Sequence, residues 1–227
     1  MSLPYSTAIP VRTGAERATL VRRTYGLVSV GVLLTVLGVA FGFSQPSVMN
    51  AVAAHPFISF LFAMAPLFLV MRAPREFPRN VALTGLFTFI EGVWLSPLIA
   101  LVERAAPGTT SQAALLTLST FAVLSLYAVF SRRDFSAGGS FFMVGLWVLI
   151  AASLVNMFFY SATASLWLAA GTILVFGGLL VFDTWRIVRS GLYGEDDYVA
   201  AAVQIYLDLL NLFLAILQLL GANRRRN

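Results

Sequence analysis

The chain has 227 residues, 59% hydrophobic and 11% charged, with a mean hydropathy of +0.86. Soluble domains carry about 25% charged residues, so a soluble fold is excluded. The absence of cysteine rules out disulfides and thiolate-held metals, the single histidine (His55) rules out a histidine-built metal centre, and with all 15 basic residues arginine there is no lysine to form a Schiff base.

A helix needs about 20 apolar residues to cross a bilayer. Seven stretches qualify: 25–43, 51–71, 81–101, 113–130, 141–160, 164–187 and 198–220. They predict an all-α integral membrane protein: a basic N-terminal arm (1–24), a seven-helix transmembrane domain (25–220) and a basic C-terminal tail (221–227). The first span follows Arg17, Arg22 and Arg23, is too long for a signal-peptide core, and reads as uncleaved. It contains GVAFG (38–42), a match to GxxxG that is a weak signal in so apolar a chain. Pro56 and Pro66 interrupt the second span, the weakest of the seven. The third carries Glu91, the sixth Asp183 and the seventh Asp208.

Arginine placement sets the expected orientation. Arg12, Arg17, Arg22 and Arg23 precede the first span; Arg72, Arg75 and Arg79 follow the second; Arg132 and Arg133 follow the fourth; Arg186 and Arg189 end the sixth. The opposite loops hold only Arg104, so the N-terminus is expected in the cytoplasm. The net charge of +5 is then a topology signal at an anionic leaflet, and no nucleic-acid partner is expected. The tail Arg224, Arg225 and Arg226 falls on the other side if the seventh helix spans fully, and on the same side if that helix is re-entrant.

An aspartate at the centre of a membrane helix costs about 2.5–3.5 kcal/mol on insertion scales, and such residues face a bundle interior or a water-filled cavity. At 1.5 Å per residue, Asp208 and Glu91 lie about 15 Å and Asp183 about 10 Å from the arginine-rich face. The sixth and seventh helices are joined by a short connection, so their two carboxylates are expected at similar depth on antiparallel neighbours. Asp183 has a local alternative, an ion pair with Arg186 one turn on; Glu91 has one as a protonated structural acid. On the seventh helix Ala201, Gln204, Asp208, Asn211, Ala215 and Gln218 recur at spacings of three and four, a small-and-polar stripe on a Leu-rich helix. It reads either as a tight packing seam or as the lining of an ion or proton path, and a seam has no need of a carboxylate.

VFDTWRIV (181–188), EDDYVAAAVQIYLDLLNLFLAILQLL (195–220), RRTYGL (22–27) and the pair Glu91-Gly92 carry a resemblance. Over essentially its whole length the chain resembles the Bax inhibitor-1 (transmembrane Bax inhibitor motif) family, bacterial branch. Trp185 stands where that family commonly has glutamine, which puts in doubt any polar contact of that side chain. The resemblance implies a bundle with the seventh helix central, wrapped by the other six, and a pH-sensitive calcium leak in a bacterial inner membrane. It implies that Asp183 and Asp208 form the pH sensor, and that an arginine ending the second helix latches the closed state onto the helix-six aspartate: Arg72, with Arg75 next. Some bacterial relatives bind and modulate a membrane AAA protease.

On this reading calcium and protons are the partners and no resident cofactor is expected. Asp183, Asp208, Glu91, Gln204 and Asn211 supply the hard oxygens calcium prefers, as weak transit sites with Asp183 and Asp208 foremost. A regulator that grips a membrane AAA protease is the alternative, with its function in the arm (1–24). Paired membrane aspartates also build intramembrane aspartyl proteases, but those carry GxGD at the second aspartate and QIYL precedes Asp208 here, so no enzyme is expected.

Overall fold

A computed structural model describes residues 14–72, 75–189 and 193–224; Arg12, Arg225, Arg226 and positions 1–13 of the arm lie outside the described residues. Hydrocarbon offers no water to backbone N–H and C=O groups, so an apolar segment satisfies them within itself as a helix. The helices are α1 (Gly14–Ser44), α2 (Pro46–Ala54), α3 (Pro56–Arg72), α4 (Arg79–Ala105), α5 (Thr109–Phe130), α6 (Gly138–Phe158), α7 (Ala162–Arg189) and α8 (Tyr198–Arg224), with one 3-10 turn at Glu195–Asp197 before α8. Six are each long and apolar enough to cross a membrane, and α2 with α3 makes a seventh if the pair counts as one span.

That pair departs from the predicted second span. The chain bends by 107° between α2 and α3. Pro56 has no N–H to continue the helix and disfavours helical backbone at the residue before it; His55 accordingly sits at φ −130°, ψ 60°. Pro66 is buried inside α3 without breaking it. α1 begins at Gly14, well before the predicted span. α8 is unbroken over 27 residues, about 40 Å, which is long enough for a full crossing.

α8 is the central helix: 61% of its apolar window is buried, against none in α6. α7, α1, α5 and α4 pack on it, while α3 packs chiefly on α4 and α6 on α7. The wrap of six that the resemblance implies is thus an inner ring of four with outer helices beyond it. Large apolar side chains such as Leu33, Phe57, Phe62, Leu115, Phe141 and Trp147 point outward, a surface suited to lipid.

The tightest contact joins α1 and α4, which run parallel. A Cβ on Gly38 would strike the carbonyl oxygen of Phe89, one on Gly92 the carbonyl oxygen of Thr35, and one on Gly42 the hydroxyl of Ser96. The GVAFG run, weak as a sequence signal, is one half of this crossing; Gly92 is the other.

Candidate functional site

α7 and α8 are antiparallel, as two contacts at different heights establish: Asp183 meets Asp208, and Gln218 Nε2 donates to the carbonyl of Ser165 (3.2 Å) in the first turn of α7. The register sets the carboxyls of Asp183 and Asp208 side by side, near enough to act on each other electrostatically. Carboxylates only accept, so a hydrogen bond between the two groups requires one proton shared between them. Asp208 is 5% exposed, and its Oδ2 is buried without a hydrogen-bond partner. On the outer side of the pair, Arg186 Nη1 stands 3.7 Å from Asp183 Oδ1, the local pairing that i,i+3 spacing on α7 allows.

Arg186 is held from above by aromatic rings. Its guanidinium lies 4.9 Å from the centroid of Tyr193 and 6.0 Å from that of Phe182. The Tyr193 hydroxyl donates to Gln204 Oε1 (2.6 Å) at the start of the α8 stripe. Burial pushes the Tyr193 phenol above its ordinary value, against the opposing pull of Arg186, so it stays a donor at neutral pH. Trp185 makes no use of a polar position: its ring packs on Phe182 and edge-on to Phe135.

The two latch candidates are elsewhere in this conformation. Arg75 Nε donates to Asp197 Oδ1 (2.7 Å) and Nη2 to Oδ2 (3.0 Å), a bidentate pair joining the α3–α4 connection to the turn before α8. Arg72 is exposed at the end of α3 and makes no ion pair among the described residues. The arginine beside Asp183 is Arg186.

The stripe meets α7 through Asp208 and Gln218 and the α7–α8 connection through Gln204, and its Ala201 and Ala215 are buried. Seam and acid site are therefore one surface. Asn211 is half-buried and its Nδ2 donates to the carbonyl of Leu207 in its own helix (2.8 Å). Glu91 is 3% exposed with Oε2 buried and unpartnered, and its electrostatic neighbour is Tyr206. The Tyr206 hydroxyl is 2.7 Å from Thr35 Oγ1, which also meets the carbonyls of Gly31 (2.9 Å) and Thr88 (3.1 Å). The threonine proton serves a carbonyl, so the phenol donates to Thr35.

Two cavities open on the bundle. One of about 600 Å³ lies among α1, α4, α5 and α8, with Thr35 and Tyr206 in its wall; another of about 440 Å³ lies between α2 and α4. Neither is lined by Asp183 or Asp208. Among the described residues no three acid or histidine side chains converge on a point that would hold a metal. Sequence reasoning missed Tyr193 and Asp197. The run of acids at 195–197, next to a short connection, was the available signal, but nothing local distinguishes Asp197 from Glu195 and Asp196.

The chain matches the family model described as Inhibitor of apoptosis-promoting Bax1 over residues 17–225. It is 30% identical to protein lifeguard 4 of Mus musculus over 225 residues, covering 98% of this chain and 92% of that protein. It is 31% identical to Bax inhibitor 1 of Schizosaccharomyces pombe, over 96% of this chain and 82% of the other. An uncharacterized protein of Campylobacter jejuni is 32% identical over 93% of this chain and 92% of its own length.

Proposed function

We propose that this chain, which belongs to the Bax inhibitor-1 family (inhibitor of apoptosis-promoting Bax1), is a calcium-conducting leak pathway of a bacterial inner membrane, gated by the proton that Asp183 and Asp208 share. The two facing acids, Asp208 on the most buried helix and Asp183 on its neighbour α7, carry this reading. Two unit charges about 4 Å apart repel by about 4 kcal/mol at an effective dielectric constant of 20. Loss of the shared proton therefore drives α7 and α8 apart, whereas a second proton deprives Arg186 of its anion. Each change acts on the seam between the central helix and its main neighbour. The arginine-rich end faces the cytoplasm, where charge on Arg75, Arg79, Arg186 and Arg189 suits an anionic leaflet. Calcium meets the acids once they are free of proton and arginine, as carboxylate oxygens along a transit path with no storage site. The acids serve as sensor and path, not as a protease pair.

The direct test is calcium flux through the purified protein in liposomes, measured against pH. Flux above that of protein-free liposomes, changing steeply over about one to two pH units, is the expected result. Flux no greater than the protein-free control at any pH, or flux flat with pH, overturns the proposal.

A smaller effect follows for Asn211. Its side chain serves only its own helix, and leucine inserts without penalty at that depth. Asn211→Leu is expected to fold as wild type and to lower flux by narrowing the seam. Undiminished flux returns this part of the stripe to packing alone.

A further inference from the structure

Arg75 and Asp197 have no part in the acid pair itself, yet they form the only bidentate arginine–carboxylate pair among the described residues, and it ties two connections together. Asp197 is 13% exposed at its side chain, while Arg75 is 68% exposed. The same Oδ2 that receives Arg75 Nη2 also accepts the backbone N–H of Gly194 (2.7 Å). That bond fixes the turn directly after Tyr193. Tyr193 is 7% exposed, and Arg186, Asp183 and Asp197 all act on it electrostatically. The contacts form one continuous line: Arg75 to Asp197, Asp197 to the 194 backbone, Tyr193 onto Arg186, Arg186 to Asp183, and Asp183 to Asp208.

We infer that Arg75 and Asp197 are positioning residues: by fixing the 193–197 turn they hold Tyr193 over Arg186 and so keep the Arg186 guanidinium beside Asp183. The inference rests on the acid-pair reading above and extends it to the α3–α4 connection. α3 is the short outer helix that follows the 107° bend. A displacement of its end would pull on Arg75 and so reach the acids without any contact between α3 and α7. An arginine fork suits this task because two parallel bonds fix angle as well as distance.

The charged and titratable groups around Arg186 are few. α7 itself supplies Asp183, α8 supplies Asp208, and the turn supplies Tyr193. α1 supplies Tyr25, whose hydroxyl pairs with Thr184 (2.9 Å). Arg189 Nη2 donates to the carbonyl of Val129 at the end of α5. From α6 no charged side chain pairs with this group among the described residues. A guanidinium that leaves Asp183 is thus not replaced by another cation already in place.

The test is a pH titration of the protonated-carboxyl infrared band of the full-length protein in liposomes, the band being assigned by its loss in Asp208→Asn, alongside calcium flux. The infrared arm reads the acid pair whether or not the chain conducts, so a failed leak reading and a failed positioning role are told apart. Removing a cation held near an anion shifts its titration by about one pH unit or more. Arg75→Gln and Asp197→Asn are each expected to move the infrared midpoint upward by about one unit, and the flux midpoint with it. The double variant is expected to move it no further than either single one. Arg75→Lys, which keeps the charge but only one of the two bonds, is expected to lie between wild type and Arg75→Gln. Arg75 is largely exposed, so its variants are expected to fold, as a thermal melt checks. Midpoints unchanged in both single variants, or shifts that add in the double variant, overturn the inference.

Discussion

Asp208→Asn is expected to abolish the steep pH dependence of flux while leaving the bundle folded. Under the proposed gating, the adjacent Asp183 and Asp208 are bonded in the wild-type chain only while they share one proton. An asparagine amide donates to the Asp183 carboxylate without that proton, so the variant keeps the paired geometry at every pH. Its flux should sit at one level, equal to that of wild type at the pH where the acids share a proton. The contrast is largest at alkaline pH, where two wild-type anions would repel by about 4 kcal/mol, close to a thousandfold in an equilibrium constant. Asp183→Asn removes the same repulsion but also the anion beside Arg186, so it should lose the pH response and melt at a lower temperature. Liposome flux measured across about pH 5 to 9 reads both. An undiminished pH response in Asp208→Asn would leave that residue as a buried structural acid.

Gly92→Leu is expected to prevent folding, and Gly92→Ala to destabilise by about 1–3 kcal/mol or more. The added Cβ would enter the carbonyl oxygen of Thr35, a backbone atom that cannot swing aside as a side chain would. Relief requires α1 to move off α4 as a unit. Thr35 also accepts the Tyr206 phenol, so the same displacement strips a hydrogen bond from the central helix and exposes the surroundings of Glu91. Gly26→Leu on α1 is the control: nothing lies within 4 Å of its Cβ position, and it should melt as wild type does. Size-exclusion profiles and thermal unfolding in detergent give the comparison. If Gly92→Leu is monodisperse with an unchanged melting temperature, the α1–α4 crossing is not what holds the bundle.

Much of the architecture was legible because it depends on transfer free energy, which is local. Runs of about 20 apolar residues locate the apolar segments, although α1 begins well before its predicted span and the second span is broken at Pro56. The stripe from Ala201 to Gln218 put Asp208 and Gln218, which both meet α7, on one face of α8, because side chains at three- and four-residue spacing share a face. Pro56 marked the weak point of the second span, but whether the chain kinks within a helix or folds back through 107° depends on what α2 and α3 rest against.

What the linear pattern did not contain is which partner each polar group finds. Arg72, Arg75 and Arg186 are chemically equivalent cations near one face, and their distances to Asp183 depend on how α3, α7 and the 193–197 turn are placed in space. The structure put Arg186 at Asp183, Arg75 at Asp197, and Arg72 at the surface. Likewise GVAFG is common in apolar chains and says nothing of its target; only the parallel registry of α1 and α4 set Gly38 and Gly42 against Gly92 and Ser96. Composition and periodicity determined by themselves that this chain is a helical membrane bundle with acids at its centre, because burying a residue in hydrocarbon is a property of that residue. The pairing of charges and the closest helix contact were decided by tertiary structure, because both are properties of two segments whose registry no single segment encodes.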